Sequence, residues 1–551
     1  MTTFPSRTRY FLIAPALAAA FLIFNLGGLL HARQPAAAAY DLVISNARVV
    51  DGTGNPWYRA DVAVKDGRVA RVAPRIPSAE ARAVIDARNQ VLAPGFVDVH
   101  THVEGIYRQP EAENFVRMGV TSLVTGNCGS SAVNVGEFLD RIKETPLAVN
   151  LSTLVAHGSV RGEVLGEQMR APTPEELRRM EALVERGMTD GALGLSTGLI
   201  YVPVTYAKTD EVVALARVAA RHGGLYATHM RDEGNGVLDA IRESLRIGAE
   251  AGLPVDISHF KISSKKLWGK STATLGLVAE ARSRGQAVTV DQYVYPASST
   301  GLDTLLPAWV REGGLEEGKK RLGDPAARER AARQMRETLK QGGFKDYSYA
   351  MVASYRANPA FNGKSVAAVA KEARGKDDLK NQIEQVMEMY AAGGASMVYH
   401  KMSEEDVRRI LREPWTMVAS DSGVRRMGEG VPHPRGYGNN ARVLGRYVRE
   451  LGVLTLEDAV RKMTSLPAQT FGLRDRGLVR EGFAADLVIF DPAAVADRAT
   501  FDQPHQYPVG ISHVFVNGEA VFADGQMTAA RPGAPLRGGS VIMRDAEHTS
   551  K

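Results

Sequence analysis

The chain has 551 residues and 44% hydrophobic content, which supports a large folded core and excludes one small domain. Its formal net charge is +6, from 68 basic and 62 acidic residues. Arg7, Arg9 and Arg33 supply half of that excess, so the rest of the chain is close to neutral. Because no basic run stands out, we expect no nucleic-acid partner.

The first 39 residues are typical of an export signal. Arg7 and Arg9 precede an uncharged apolar run over residues 10–30, and the alanines at 36–39 offer small side chains for cleavage. We predict a cleaved signal and a periplasmic or extracellular protein. The alternative is an uncleaved membrane anchor over residues 10–30, because this run is long enough to span a bilayer. Membrane contact is expected only through this segment, and only if it is not cleaved.

Both ends of the remaining chain predict short strands separated by turns. Residues 40–92 contain several β-branched runs with Asp-Gly turns between them, and residues 476–530 repeat that pattern. Asn517-Gly518 lies between two such runs and is a strong hairpin signal. We predict one small β-sandwich built from both termini, followed by a solvated tail over residues 531–551.

The middle of the chain, residues 93–475, alternates apolar strands with helices. Thr209 is predicted to cap one helix, and the strand 225–229 follows it. Repeated strand–helix units favour an α/β fold with a parallel sheet, and this length favours a closed TIM-like (β/α)8 barrel. An open doubly wound sheet is the alternative, but no Gly-rich phosphate loop follows the first strand. Charged helices over about residues 302–403 predict an insertion that covers the barrel mouth.

Metal-ligating residue types stand at the ends of the predicted strands. They are His100, His102, Cys128, His229, His259 and Asp421. His100 and His102 are two residues apart, so on a strand both imidazoles share one face. The lone cysteine excludes an internal disulfide and is either a small buried residue or a metal ligand. Asp421 has an alternative role as a helix cap before Ser422-Gly423.

These residue types predict a zinc centre. Thiolate and imidazole are favoured zinc ligands, so Cys128, His229 and His259 form a plausible tight site. His100, His102 and Asp421 form a second, weaker site, and Cys128 could bridge the two. A metal ion in such a site lowers the pKa of bound water, and Asp421 could then act as the general acid and base.

Several segments together resemble the amidohydrolase superfamily and, within it, the N-acyl-D-amino-acid deacylases (D-aminoacylases). The similar segments are His100-Thr101-His102, Asn127-Cys128-Gly129, Thr228-His229-Met230-Arg231, Ser258-His259-Phe260-Lys261, Ser420-Asp421-Ser422 and His433-Pro434-Arg435. Many other amidohydrolases bridge their metals with a carbamylated lysine, whereas a cysteine in that role is typical of this branch. The resemblance covers about residues 41–525.

The resemblance implies zinc-dependent hydrolysis of N-acyl-D-amino acids to a carboxylate and a free D-amino acid. It implies zinc at Cys128, His229 and His259, and an auxiliary metal position at His100, His102 and Asp421. It also implies substrate contacts from Tyr201, Lys261, Tyr293, Ser299 and Arg435, with the Arg435 guanidinium suited to a free carboxylate. The segment from Asp421 to Arg435 looks longer than in this family and contains the pair Arg425-Arg426.

Other functions are compatible with the same ligand set. A hydantoinase- or dihydroorotase-like enzyme would cleave a cyclic amide, but Cys128 argues against it. A dipeptidase or lactonase could use the same metal–hydroxide chemistry. An exported metal- or solute-binding protein would need the ligands but no general base, so Asp421 disfavours it.

Overall fold

The computed structural model describes residues 38–538. The predicted export signal over residues 1–39 lies outside that range up to residue 37, as do the alternative anchor over residues 10–30 and the end of the tail after residue 538. Within the described range, each helix is too short or too polar to cross a membrane.

Strands and helices alternate along the described chain. The strands are β1 Tyr40–Val49, β2 Tyr58–Lys65, β3 Arg68–Ala73, β4 Ala81–Asp86, β5 Val91–Pro94, β6 Phe96–Asp98, β7 Val120–Thr125, β8 Asn150–Thr153, β9 Val155–Ala156, β10 Gly194–Gly198, β11 Leu225–His229, β12 Val255–Ile257, β13 Val288–Gln292, β14 Ser298–Gly301, β15 Ala350–Ser354, β16 Ser396–Tyr399, β17 Thr416–Val418, β18 Leu487–Phe490, β19 Ile511–Val516, β20 Glu519–Ala523 and β21 Gln526–Met527. The α-helices are α1 Glu113–Val116, α2 Val135–Glu144, α3 His157–Leu165, α4 Pro174–Thr189, α5 Thr209–Arg221, α6 Val237–Ala251, α7 Ser271–Ser283, α8 Gly314–Gly323, α9 Pro325–Gly342, α10 Val366–Arg374, α11 Leu379–Ala391, α12 Glu404–Arg412, α13 Arg435–Arg442, α14 Leu456–Met463 and α15 Ser465–Thr470.

A nine-stranded sheet joins the two ends of the described chain. Its order is β21-β20-β19-β18-β5-β1-β2-β3, with β4 paired to β1. β18 and β5 are antiparallel neighbours, which places the N-terminal and C-terminal strands side by side. The predicted hairpin turn at Asn517 and Gly518 is confirmed, with φ values of 47° and 84°. Positive φ at both positions is what a type I′ turn requires.

The middle of the chain forms two parallel sheets. One has the order β6-β7-β8 and the other has the order β9-β10-β11-β12-β13-β17. Thr289 is the single partly exposed residue in these strands, and all others are buried. The sheets adjoin at both edges: one residue separates β8 from β9, and Thr101 pairs with Ser422 in a parallel bridge just beyond β6 and β17. Because all these strands are parallel, their carboxyl ends lie together at one end of the two sheets.

The helices pack apolar faces against these sheets. In α6, Val237, Ile241 and Leu245 are buried at helical spacing, and Gly252 ends the helix with φ 73°. The prediction that Thr209 caps α5 is wrong. Thr209 is the first residue of the helix, and its hydroxyl donates to Glu243 Oε1 at 2.8 Å instead.

The segment predicted as an insertion has its own core. Strands β14, β16 and β15 form an antiparallel sheet, and helices α8 to α11 surround it. Val310, Met335, Val386 and Met397 belong to an apolar cluster separate from that of the parallel sheets. This arrangement explains why the segment interrupts the strand–helix alternation without changing the order of the parallel strands.

The last described residues differ from the predicted solvated tail. Gly533 N donates to Leu147 O at 2.8 Å, and Leu536 N donates to Leu151 O at 2.7 Å. Arg537 forms an ion pair with Asp140 at 2.6 Å. Residues 531–538 therefore extend along β8 and its neighbours, because backbone groups at this edge of β8 accept hydrogen bonds from them.

Candidate metal centre

The fold brings the six predicted ligands together at the carboxyl ends of the parallel strands. His100 and His102 follow β6, Cys128 follows β7, His229 ends β11, His259 follows β12 and Asp421 follows β17. Their donor atoms form three overlapping groups, each within 4.8 Å: His100, His102 and Cys128; Cys128, His229 and His259; His100, His259 and Asp421.

Cys128, His229 and His259 match the donor set of a zinc site. Cys128 Sγ lies 3.8 Å from His229 Nδ1 and 3.6 Å from His259 Nε2. The two imidazole nitrogens are 2.8 Å apart. Tetrahedral zinc with Zn–S of about 2.3 Å and Zn–N of about 2.0–2.1 Å places sulfur and nitrogen about 3.6 Å apart. The donor chemistry and both sulfur–nitrogen distances therefore fit zinc, and the two nitrogens would separate to about 3.3 Å around a tetrahedral ion.

The second group shares Cys128 with the first. His100 Nε2 lies 3.3 Å from Cys128 Sγ and 3.6 Å from Asp421 Oδ1. His102 Nε2 lies 3.2 Å from the same carboxylate oxygen. Cys128 thus stands between the two groups, as expected of a bridging ligand. In this position the Asp421 carboxylate faces the imidazoles, and no helix begins at Ser422, so its alternative role as a helix cap is wrong.

Two carboxylates that the sequence prediction missed orient the imidazoles. Asp291 Oδ2 bonds His100 Nδ1 at 3.0 Å, and Asp291 Oδ1 accepts the backbone N–H of His259 at 2.8 Å. Glu233 Oε1 lies 2.9 Å from His259 Nδ1. A proton shared with these acceptors leaves Nε2 of each ring free for a metal.

Asp98 connects the first and last strands of the parallel set. Its carboxylate accepts hydrogen bonds from Ser420 N at 3.1 Å and from His100 N at 3.2 Å. It is buried, and burial raises the pKa of this carboxyl to about 6 despite those bonds. Asp98 thereby holds the backbone at two predicted ligands: at His100 itself and at Ser420, the residue before Asp421.

Three ligand residues have left-handed backbone conformations. The φ values are 52° at Cys128, 37° at His259 and 50° at Asp421. A non-glycine residue in this region costs about 1–3 kcal/mol, and such strain concentrates at functional sites. These conformations turn the chain abruptly at each strand end, which directs the three side chains toward one another.

The site favours the charged forms of Cys128 and Asp421. Burial raises the pKa of the Cys128 thiol, but His100 and the other imidazoles outweigh burial and hold that pKa well below its usual value. Burial likewise raises the pKa of the Asp421 carboxyl, and Arg435 leads the cations that hold it well below its usual range. A thiolate is the form that binds a metal ion, and a carboxylate is the form that accepts a proton.

A cavity of about 1360 Å³ opens over the ligands. All five predicted substrate-contact residues line it: Tyr201, Lys261, Tyr293, Ser299 and Arg435. Tyr201 Oη lies 3.5 Å from His229 Nδ1 and 3.0 Å from Thr300 Oγ1. Arg435 Nη1 lies 2.8 Å from Asp421 Oδ2, and the guanidinium stacks 4.4 Å from the centroid of the Tyr293 ring. Arg435 is buried, so its ion pair with Asp421 is not a surface salt bridge.

Three polar groups among the predicted contacts are already engaged with the protein. Lys261 Nζ donates to Glu233 Oε1 at 2.5 Å and to His259 O at 2.8 Å. Tyr293 Oη bonds Met402 Sδ at 3.5 Å, and Ser299 Oγ bonds Met397 O at 2.7 Å. Lys261 therefore supports the His259 ligand as well as lining the cavity.

The ligand cluster and the cavity above it define a class of protein, the metal-dependent hydrolases, in which metal ligands and a proton acceptor meet below a substrate cavity. The sequence model of the amidohydrolase family matches residues 83–522, and the chain therefore belongs to the amidohydrolase family.

Two curated relatives cover nearly the whole chain. D-aminoacylase of Alcaligenes xylosoxydans xylosoxydans is 36% identical over an alignment 527 residues long, which covers 91% of this chain and 99% of that protein. N-acyl-D-aspartate deacylase of the same organism is 36% identical and covers 92% of this chain and 97% of itself. The chain thus falls in the D-aminoacylase branch that its cysteine motif predicts.

Solved structures lead to the same branch. A D-aminoacylase structure with a binuclear metal centre has a TM-score of 0.78 and 35% identity, over 90% of this chain and 100% of that one. A second structure is N-acyl-D-glutamate deacylase from Bordetella bronchiseptica, in complex with zinc and a phosphonate mimic of the tetrahedral intermediate. It has a TM-score of 0.78 and 34% identity, over 90% of this chain and 99% of that one. A D-hydantoinase structure at 15% identity and a TM-score of 0.54 shares the fold alone.

Proposed function

We propose that this protein hydrolyses the amide bond of N-acyl-D-amino acids, releasing a carboxylate and a free D-amino acid. The observation that carries the proposal is the position of Cys128, whose Sγ lies within 3.8 Å of His100, His229 and His259. The curated relatives with 36% identity act on N-acyl-D-amino acids, as their names state. A thiolate at this point replaces the lysine bridge of cyclic-amide hydrolases.

The cofactor of this reaction is zinc, with one tight site at Cys128, His229 and His259 and a second at His100, His102 and Asp421. The thiol and imidazole donors, together with the zinc complex of a similar deacylase, support this metal. When bound, zinc polarises the scissile carbonyl and lowers the pKa of water. The rest of the mechanism belongs to side chains of this chain.

Asp421 is the proton carrier. Its carboxylate is 3.2 Å from His102 Nε2 and is held in the ionised form by Arg435. It accepts a proton from the attacking water and returns it to the leaving nitrogen. Tyr201 Oη, beside His229, is placed to donate a hydrogen bond to the acyl oxygen.

Arg435 binds the substrate's α-carboxylate. Its guanidinium is buried, stacks on Tyr293 and has Nε without a partner among the described residues. A guanidinium matches a carboxylate with two parallel hydrogen bonds. Arg435 then binds both the α-carboxylate and Asp421. Because Asp421 acts at the reacting amide, this shared contact fixes the distance between that amide and the α-carboxylate.

The architecture that supports this site is a closed eight-stranded barrel with a β-sandwich beside it. The bridge between Thr101 and Ser422 and the adjacency of β8 and β9 support closure, and the nine-stranded terminal sheet supports the sandwich. Export of the protein, by the signal predicted over residues 1–39, would place it where D-amino acids from cell-wall peptides are available.

The test is product analysis with zinc-loaded protein and two substrates, N-acetyl-D-leucine and 5-isobutylhydantoin. We expect acetate and D-leucine in equal amounts from the first and no ring opening of the second. Ring opening of the hydantoin without deacylation would refute the proposal and assign a cyclic-amide substrate.

A further inference from the structure

The wall of the cavity is more basic than one substrate carboxylate requires. Nine arginine and lysine residues line it, against four aspartate and glutamate residues. Three of the acidic residues are paired within the cavity: Asp421 with Arg435, Glu233 with Lys261 and Glu429 with Arg426. Two further cations pair with carboxylates beside the cavity, Arg231 with Glu243 and Arg311 with Asp303. Among the described residues this leaves Arg108, Arg356, Lys401 and Arg425 as cavity cations without an ion pair.

Arg425 stands out among these cations. Within residues 38–538, no carboxylate forms an ion pair with it, and its one side-chain hydrogen bond runs from Nε to Ser422 Oγ at 3.2 Å. Its side chain is half-buried in the cavity wall. Burial lowers the pKa of Arg425, and the next cause is the positive charge of Arg435. A desolvated cation beside a second cation favours an anionic ligand.

The structure also holds Arg425 in place. Its backbone N–H donates to Asn114 Oδ1 at 3.2 Å, and Asn114 Nδ2 donates to Gly436 O at 2.8 Å. The side chain packs over Gly436, where a Cβ would lie 3.2 Å from Arg425 Cγ. Through these two bonds, the fully buried Asn114 links the segment that carries Arg425 to Gly436. Gly436 follows Arg435, the first residue of α13.

Of the other cavity cations without an ion pair among the described residues, Arg108 and Arg356 are exposed and Lys401 is half-buried, but the surroundings of Lys401 differ. The charge that most strongly affects its ammonium is the carboxylate of Glu233, on the His259 side of the site. Arg425 instead neighbours Arg435, the residue that anchors the α-carboxylate. A second anionic group on the amino-acid part of the substrate would therefore reach Arg425 first.

We propose that Arg425 binds a side-chain carboxylate, so that the preferred substrates are N-acyl derivatives of acidic D-amino acids. This inference rests on the proposed function. With the α-carboxylate at Arg435, the side chain of a D-glutamate-like substrate extends toward Arg425, whose planar fork binds both carboxylate oxygens. Neutral side chains would leave the guanidinium without an anion.

The test compares N-acetyl-D-glutamate with N-acetyl-D-glutamine, which have nearly the same shape and differ by one charge. For the zinc-loaded wild type we expect kcat/KM to favour the glutamate by roughly 10-fold or more. Arg425→Met should abolish that preference and leave kcat/KM for the glutamine substrate within about 3-fold of the wild-type value. Arg425→Lys, which keeps the positive charge, should retain part of the preference for glutamate.

Arg426→Met is the matched control. Arg426 is the next residue, lines the same cavity and pairs with Glu429, yet its side chain is 55% exposed. This variant should keep the preference for glutamate, and thermal unfolding should show that all three variants fold. A wild type without the preference, or a preference that survives Arg425→Met, would overturn the proposal.

Failure of the proposed function gives a different result. If no N-acyl-D-amino acid is hydrolysed, calorimetric binding of the same two compounds still tests Arg425. Tighter binding of the glutamate derivative that disappears in Arg425→Met would support the carboxylate site even though the reaction is another one. Equal binding of both compounds would overturn the site as well.

Discussion

Arg435 Nη1 lies 2.8 Å from Asp421 Oδ2, and both side chains are more than nine-tenths buried. In the proposed mechanism, the residue that anchors the substrate is therefore also the main counter-charge of the residue that carries the proton. That mechanism couples binding and chemistry through this one pair, which has consequences for the pH dependence of catalysis.

Replacing Asp421 by asparagine should remove the proton acceptor and keep the fold. Asparagine tolerates the φ of 50° at this position better than alanine does. We expect kcat to fall by roughly 10²–10⁴-fold, the usual contribution of a general base. The zinc held by Cys128, His229 and His259 and the unfolding temperature should stay near the wild-type values. Turnover near the wild-type rate would remove Asp421 from the mechanism.

Replacing Arg435 by glutamine should affect both binding and pH dependence. Loss of a charged hydrogen bond of about 2 kcal/mol predicts a fall in kcat/KM of roughly 30-fold. Arg435 lowers the pKa of Asp421, so that pKa rises in the variant and the acidic limb of the profile moves to higher pH. Profiles of wild type and variant that coincide in shape would contradict the coupling.

The metal groups make distinct predictions for two ligand variants. Cys128→Ser removes a thiolate that both groups share, so we expect loss of the tightly bound zinc and of activity. His102→Asn changes a side chain of the second group alone, and one zinc per chain should remain. Elemental analysis after dialysis measures both. Full zinc content in Cys128→Ser would refute the assignment of the tight site.

Burial of Lys462, near the opposite end of β17 from Asp421, predicts that the stability of the fold depends on pH. Its ammonium is buried and donates to Glu413 O and to Thr416 O at the start of β17. Burial lowers its pKa from 10.5 to about 8, so the unfolded chain binds more protons between these values. The free energy of unfolding should therefore rise with pH in this window, by about 3 kcal/mol at most.

Urea unfolding of wild type and Lys462→Met at pH 7 and at pH 10 measures this effect. The stability of the variant relative to wild type should fall as the pH rises, because the variant lacks the titrating amine. Lys371→Met, at an exposed position on α10, is the control and should show no such change. Parallel behaviour of wild type and Lys462→Met would contradict the prediction.

The sequence predicted that six metal-binding side chains would meet, because each stands at the end of a buried strand, and parallel strands end at one edge. It did not predict Asp291 and Glu233, since one carboxylate among 62 acidic residues carries no signal until its contact with an imidazole is known. The left-handed conformations at Cys128 and His259 are likewise set by tertiary packing.

Two misses have a similar cause. Thr209 has the residue type of a helix cap, but a long-range hydrogen bond to Glu243 takes its hydroxyl. Residues 531–538 are rich in proline and glycine, yet backbone groups of β8 and the residues before it form hydrogen bonds with them. In both places a contact distant in sequence decided the structure, and local pattern carries no record of such contacts.

The most direct test of the whole account is hydrolysis of matched N-acetyl-D- and N-acetyl-L-amino acids by zinc-loaded protein that lacks residues 1–39. Glutamate and leucine derivatives of each hand should be included, with a chelator control. The account predicts turnover of the D series alone, abolished by the chelator and restored by zinc. Equal turnover of both hands, or activity that survives removal of the metal, would contradict it.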